Sequence, residues 1–275
     1  RERRFDAVIL CPPSLRSALV ATLARIPRRV GDRADGRSFL LTDGLPTRQR
    51  GTIHYAREML GLGAALVGEE FATDEFPVPS LPGCAGIPPA VLPAGAPVVA
   101  FAPGTTYGEA KTWPLSRAAE FLSAALANAD HRVVLLGDRN ARPLAETLAA
   151  KVGRAAATGL GEGAPLTDLT GRTDLTGVAA VLKSCAGFVG NDSGLMHLAA
   201  AFDVPTVGIF GSSNPDWTAP LGNCTATVVA QGYDCRPCYR KTCNQSRFCL
   251  DDIPGSRVLA ELSGLMAQRC EGENR

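Results

Sequence analysis

The sequence predicts an α/β protein whose second half is a doubly wound parallel sheet, on three observations. From Val98 onward, short apolar runs alternate with longer stretches of helical periodicity. Those apolar runs are continuous rather than alternating, as strands covered on both faces are. A proline-dense segment separates this half from the first. With 275 residues, 45% of them hydrophobic, the chain has enough apolar surface for one large or two ordinary α/β domains.

In the first half, Phe5–Leu10 is a short β-rich run that stops at Pro12-Pro13, after which Ser14 offers an N-cap to a helix through Leu23. Arg28–Gly31 reads as a second short strand, and His54–Leu62 as a helix closed by Gly63. Residues 77–97 carry Pro77, Pro79, Pro82, Pro88, Pro89, Pro93 and Pro97 and read as a linker between domains at 1–76 and 98–275. In the second half the expected strands are Val98–Ala102, Arg132–Gly137, Phe188–Gly190 and Thr206–Phe210. The expected helices are Ser116–Ala127, Asn140–Lys151, Leu175–Lys183, Ser193–Phe202 and Ser256–Ala267. A doubly wound domain has five or six strands where residues 1–76 offer two, so the first domain reads as incomplete, with its opening βα units expected upstream of Arg1.

No run approaches the roughly 20 apolar residues that span a bilayer, and the start does not resemble a signal segment, so a cytoplasmic protein is expected. The net charge of +1 hides an asymmetry: the first sixty residues hold twelve arginines against six acids. Such a half suits an anionic partner or membrane surface, or is an ordinary solvated face. The nine cysteines are odd in number and read as thiols or metal ligands rather than disulfides. Four of them, Cys235, Cys238, Cys243 and Cys249, stand at spacing C-x2-C-x4-C-x5-C in a loop at 235–249. That spacing is compatible with a tetrahedral structural Zn site, or with a reduced loop clamp.

In open parallel sheets ligands bind beyond the carboxyl ends of the strands, at helix N-termini. Two segments have that placement. Phe101-Ala102-Pro103-Gly104-Thr105-Thr106, followed by Lys111, offers small hydroxyls, free amides and a cation to phosphate oxygens, or is a turn beside an exposed lysine. Gly190-Asn191-Asp192-Ser193-Gly194-Leu195-Met196-His197 joins a strand to a helix. Asp192 or Ser193 can cap that helix, Asp192 can accept from sugar hydroxyls, and His197 sits one turn in.

These motifs carry a resemblance. PGTTYGEAKTWP (Pro103–Pro114), GNDSGLMHLAAAFDVPTVGIFGSSNPDWTAPLG (Gly190–Gly222) and RRVGDRADGRSFLLT (Arg28–Thr42) resemble the ADP-heptose:lipopolysaccharide heptosyltransferases of glycosyltransferase family 9, in order along nearly the whole chain. The resemblance implies a GT-B fold of two Rossmann-like domains with parallel sheets. It also implies inverting transfer of L-glycero-D-manno-heptose from ADP-heptose to the lipopolysaccharide inner core, a heptosyl-Kdo–lipid A acceptor, by a cytoplasmic enzyme in peripheral contact with the inner membrane. By motif position, Thr105, Thr106 and Lys111 would hold the donor diphosphate, and Asp192, Ser193, Gly194 and His197 the heptose and phosphates. Arg28, Arg29, Arg33, Arg37 and His54 would face the acceptor. No cofactor is implied for the chemistry, and nucleic acid is not an expected partner. The family's general base, an Asp in a glycine-containing first βα loop, has no counterpart here, so the catalytic residue is unassigned and expected upstream of Arg1. The alternative is a nucleotide-sugar-binding module without turnover.

Overall fold

The computed structural model describes residues 4–69, 81, 90, 95–127, 131–153 and 164–273. It divides into two compact units, Arg1–Pro77 with Asp216–Thr218, and Val78–Pro215 with Ala219–Arg275. Most of the expected linker, and Cys84 within it, lies outside the described residues.

The first unit holds a parallel three-stranded sheet of β1 (Ala7–Leu10), β2 (Arg28–Asp32) and β3 (Asp43–Leu45), in that order, with helices α1 (Leu15–Leu23) and α2 (Tyr55–Val67). The Ser14 hydroxyl accepts from the Ser17 amide at 3.2 Å and starts α1 where the sequence places it. Helix α2 runs past Gly63, the expected stop. The residue that ends it is Gly68, at φ 78°, whose amide donates to Ala64 O. Strand β3 was not expected, because Asp-Gly-Leu has no apolar run of its own and is recruited by its pairing with β2.

Three of the arginines expected to face an acceptor take part in this unit's fold, and one of them, Arg37, is closed off from solvent. Its guanidinium pairs with Asp32 at 2.5 Å and donates to the carbonyls of Leu10, Pro12 and Asp32 and to the Ser17 hydroxyl. With its donors spent on the loops that end β1 and β2, it has no face for a ligand. Arg28 pairs with Asp43 at 3.2 Å and donates to the carbonyls of Ala65 and Leu66, and Arg29 donates to those of Ile26, Pro27 and Leu40. The Arg28 guanidinium holds the Asp43 carboxyl below its ordinary range.

The second unit is a six-stranded, wholly parallel sheet in the order β6-β5-β4-β7-β8-β9. The strands are β4 (Val98–Ala102), β5 (Arg132–Leu135), β6 (Leu166–Asp168), β7 (Gly187–Asn191), β8 (Thr206–Phe210) and β9 (Thr225–Val229). The helices are α3 (Leu115–Leu126), α4 (Arg142–Lys151), α5 (Leu175–Lys183), α6 (Gly194–Ala201), α7 (Pro215–Thr218) and α8 (Gly255–Glu273). Every residue of β4 is buried, and its side chains alternate between two cores. Val99 and Phe101 join α3, α4 and α8 on one face, and Val98, Ala100 and Ala102 join α5 and α6 on the other. Helix α8 starts so close to α3 that a Cβ on Gly255 would lie 2.2 Å from the Phe121 nitrogen, so only glycine fits. Strands β6 and β9 lie at the sheet edges, where a three-residue strand and a half-exposed one leave little hydrophobic signal.

Arg37→Met should lower the stability of the protein by ~3 kcal/mol, because it leaves Asp32 without its partner and several carbonyls without donors. Urea denaturation followed by tryptophan-independent circular dichroism checks this, and an unchanged midpoint contradicts it.

Candidate functional site at the reversal of strand order

The chain winds outward from β4 through β5 to β6, then starts again at β7 and winds the other way through β8 to β9. Strands β4 and β7 are neighbours, with Ala102 paired to Gly190. Their connections leave the same edge of the sheet in opposite directions, which opens a crevice at their carboxyl ends. Both sequence-predicted segments, Phe101–Thr106 followed by Lys111, and Gly190–His197, pass through it.

Asn191, which the sequence analysis did not single out, ties the two segments together. It is buried, its Oδ1 accepts from the Trp113 amide at 3.0 Å, and its Nδ2 donates to Pro103 O at 2.8 Å. One carboxamide thus fixes both ends of the loop after β4 to the end of β7. A buried amide so engaged is costly to remove. Nothing in the local sequence distinguishes such an Asn from an exposed turn residue.

Lys111 and Asp192 meet within this frame, Nζ to Oδ2 at 2.6 Å, with 15% and 6% of their side chains exposed. The Lys111 ammonium also lies 4.6 Å from the centre of the Tyr107 ring. The Tyr107 hydroxyl donates to Tyr239 O at 2.6 Å, and the Ala110 amide donates to Lys241 O at 2.9 Å. Gly108 has φ +148°, and a Cβ there would lie 2.5 Å from Lys241 O, so the loop's close approach requires glycine.

A cavity of about 580 Å³ opens at this crevice; Thr112 and Ser193, the neighbours of Lys111 and Asp192 in sequence, line it, and Lys111 and Asp192 themselves do not. Its lining includes Gly104, Thr105, Thr106, Ser193 and Gly194 from the two predicted segments. It also takes residues that sequence reasoning missed, Asp138 and Asn140 after β5 and Thr173 and Asp174 after β6, and an apolar group in which Leu144, Leu175, Val178 and Leu198 join Leu195 of the second segment. Ser193 is the N-cap of α6, yet its hydroxyl makes no capping bond. That oxygen and the Thr173 hydroxyl are buried with no hydrogen-bond partner among the described residues. Buried polar atoms without partners at a cavity wall are positioned for a ligand's own groups. Ser193 therefore leaves the α6 amides open instead of capping them. His197 is exposed on α6 and outside the cavity's lining.

A second cavity, about 420 Å³, lies in the first unit, where Arg48, Arg57, Asp32, Glu58 and Glu69 surround an apolar floor that includes Leu45, Ile53 and Leu62. The arginines lining it are Arg48 and Arg57, not the four the sequence analysis chose. Arg33 is exposed, with its side chain lying over Gly44. His54 is the N-cap of α2, its Nδ1 accepting from the Ala56 amide at 3.3 Å. A third cavity, about 240 Å³, is lined by Cys235, Cys238, Cys243 and Cys249 together. Among the described residues no three His, Cys, Asp or Glu side chains stand in a metal-ligand arrangement.

The sequence pattern of glycosyltransferase family 9 (heptosyltransferase) matches residues 1–248. Lipopolysaccharide heptosyltransferase 2 of Salmonella typhimurium is 31% identical, and that of Escherichia coli 30%; each alignment covers 98% of this chain and 77% of the relative. Among solved structures, E. coli ADP-heptose lipopolysaccharide heptosyltransferase II superposes with a TM-score of 0.69 at 27% identity, over 98% of this chain and 78% of that one. E. coli heptosyltransferase WaaC with ADP, 20% identical, shares the fold at a TM-score of 0.68 over 96% of this chain and 74% of that one. The parallel-sheet α/β units are thus those of GT-B heptosyltransferase structures. With the family pattern running from residue 1 to 248 and relatives at 30% identity aligned along nearly all of its length, this chain belongs to glycosyltransferase family 9, the heptosyltransferases.

Proposed function

We propose that this glycosyltransferase moves L-glycero-D-manno-heptose from ADP-heptose to the inner core of lipopolysaccharide, on a heptosyl-Kdo–lipid A acceptor, with inversion at the anomeric carbon. The observation that carries this reading is the cavity at the β4–β7 crevice, whose lining joins the Gly104–Thr106 loop and the start of α6, uncapped by Ser193, to an apolar group. A nucleoside diphosphate sugar has the same polarity. In this reading the adenosine lies along Leu144, Leu175, Val178, Leu195 and Leu198, with the Thr173 hydroxyl as a polar partner. The diphosphate meets the amides of the loop at Gly104–Thr106, those of α6 and the Ser193 hydroxyl, with Lys111 beside it. Leaving-group departure from an oxocarbenium-like centre builds charge on the diphosphate, and fixed amides and one ammonium stabilise it without reorganising. No metal is needed for that step. Asp192, held by Lys111, belongs to the donor side, and the role of general base is assigned to no residue of this chain.

The acceptor's phosphates and carboxylates suit the arginine-rich first unit, and Arg48 and Arg57 line its cavity. A lipid-linked acceptor implies work at the cytoplasmic face of the inner membrane. Leu15, Leu19, Val20 and Leu23 are exposed along α1, with Arg16 exposed among them, a composition suited to an anionic lipid surface. Among the described residues no helix is long and apolar enough to cross a membrane.

The direct test is incubation with ADP-heptose and heptosyl-Kdo–lipid A, reading the acceptor's mass. Addition of one heptose is expected; donor binding without product would instead mark a binding module. Lys111→Met should weaken ADP binding by roughly a hundredfold, because it removes the cation and leaves the Asp192 carboxylate unpaired beside the diphosphate. Adding Asp192→Asn should recover part of that loss, since the two sites are in contact and not additive. Calorimetry with ADP reads both, and wild-type affinity in Lys111→Met would remove the assignment. Co-flotation with phosphatidylglycerol vesicles at low salt is expected and should fall on Leu19→Asp or at high salt. Absence of co-flotation at low salt would contradict membrane contact.

A further inference from the structure

The cavity of the first unit mixes both signs of charge over its apolar floor, with Arg48 and Arg57 beside Asp32, Glu58 and Glu69. Arginines alone would answer an anionic ligand. The acids need another explanation, because a carboxylate facing a phosphate or a second carboxylate weakens binding. Asp32 is engaged by the Arg37 guanidinium, and Glu69 is exposed just past the end of α2. Glu58, in the first turn of α2, is half-buried and has a different kind of partner.

That partner comes from far along the chain. Asp216–Thr218 groups with the first unit, and the Trp217 Nε1 donates to Glu58 Oε1 at 3.3 Å. The same indole meets the Tyr55 ring edge-on, with centroids 5.4 Å apart, and the Arg50 guanidinium lies 5.2 Å from its centre. An aromatic neighbour, a cation and a hydrogen bond together hold the ring in one orientation. A carboxylate can accept about four hydrogen bonds. Among the described residues, the Glu58 carboxylate takes this one. Burial raises its pKa above the ordinary glutamate range, the Trp217 bond and the nearby Arg48 and Arg50 oppose that rise, and Asp32 adds to it. A half-desolvated carboxylate with open lone pairs at a cavity wall suits a ligand that brings donors. Sugar hydroxyls are such donors. An acidic sugar also brings C–H faces for the apolar floor and an anion for the arginines.

We propose that Glu58 accepts a hydrogen bond from a hydroxyl of the acceptor sugar in this cavity, and that Trp217 is the residue that positions it. The proposal rests on the reading that places the acceptor in the first unit. It gives the arginines, the carboxylate and the apolar floor a single occupant.

Calorimetry of the full chain with deacylated heptosyl-Kdo–lipid A reads affinity without requiring turnover. Glu58→Gln should weaken binding of this probe roughly tenfold at about pH 7.5, with ADP affinity unchanged. As the pH drops to about 5, wild-type affinity should fall more steeply than that of Glu58→Gln, because protonation removes the ionised carboxylate; the probe's own phosphates titrate alike in both. Trp217→Phe keeps an aromatic ring but loses the donor that favours the carboxylate, so it should move the wild-type fall to higher pH. Trp217→Phe added to Glu58→Gln should cost nothing more, since Trp217 acts through Glu58. A double variant that binds more weakly than Glu58→Gln alone overturns the positioning role. Arg48→Ala and Arg57→Ala test the acceptor reading by itself. If they weaken binding while Glu58→Gln binds as wild type, the Glu58 assignment is overturned and the acceptor reading stands. If the arginine variants also bind as wild type, or the wild-type protein binds no probe, both are removed.

Discussion

The parallel pairing of β4 with β7 is the constraint on which the site depends. Because the chain leaves β4 toward one edge of the sheet and β7 toward the other, their two following loops diverge and leave a crevice that neither loop fills. Asn191 then fixes one wall of it, since a single buried carboxamide ties both ends of the loop after β4, Pro103 and Trp113, to the end of β7. The charged pair, the open α6 terminus and the apolar lining are all placed by that frame.

Burying Lys111 against Asp192 is not a device for stability, since the desolvation of two charges offsets most of their attraction. Its geometry makes sense as preorganisation. The ammonium is held by a carboxylate and an aromatic ring, and its loop is hydrogen-bonded to the backbone oxygens of Tyr239 and Lys241. In the proposed donor reading, a cation fixed before the diphosphate arrives need not be ordered at the moment of reaction.

Much of the second unit is legible in the sequence because its strands are covered on both faces. Val98–Ala102 and Thr206–Phe210 are found where the apolar runs place them, as is the helix Leu175–Lys183. Edge strands β6 and β9 are not legible, because β6 is buried but only three residues long with two of them polar, and β9 is half-exposed. The two loop motifs are found at one crevice, but the partners that complete it, Thr173 and the apolar residues of α4 and α5, come from segments with no local signature. The arginines mislead most. Composition marks Arg37 as a surface cation, yet it is the buried hub of the first unit, and only tertiary structure separates it from the cavity-lining Arg48 and Arg57.

Hydrogen exchange of the backbone amides with and without ADP tests the placement of the donor most directly. The account predicts slowed exchange on binding in residues 104–112 and 192–198, with residues 28–45 unchanged. Slowing confined to the first unit, with both crevice segments unaffected, would contradict it.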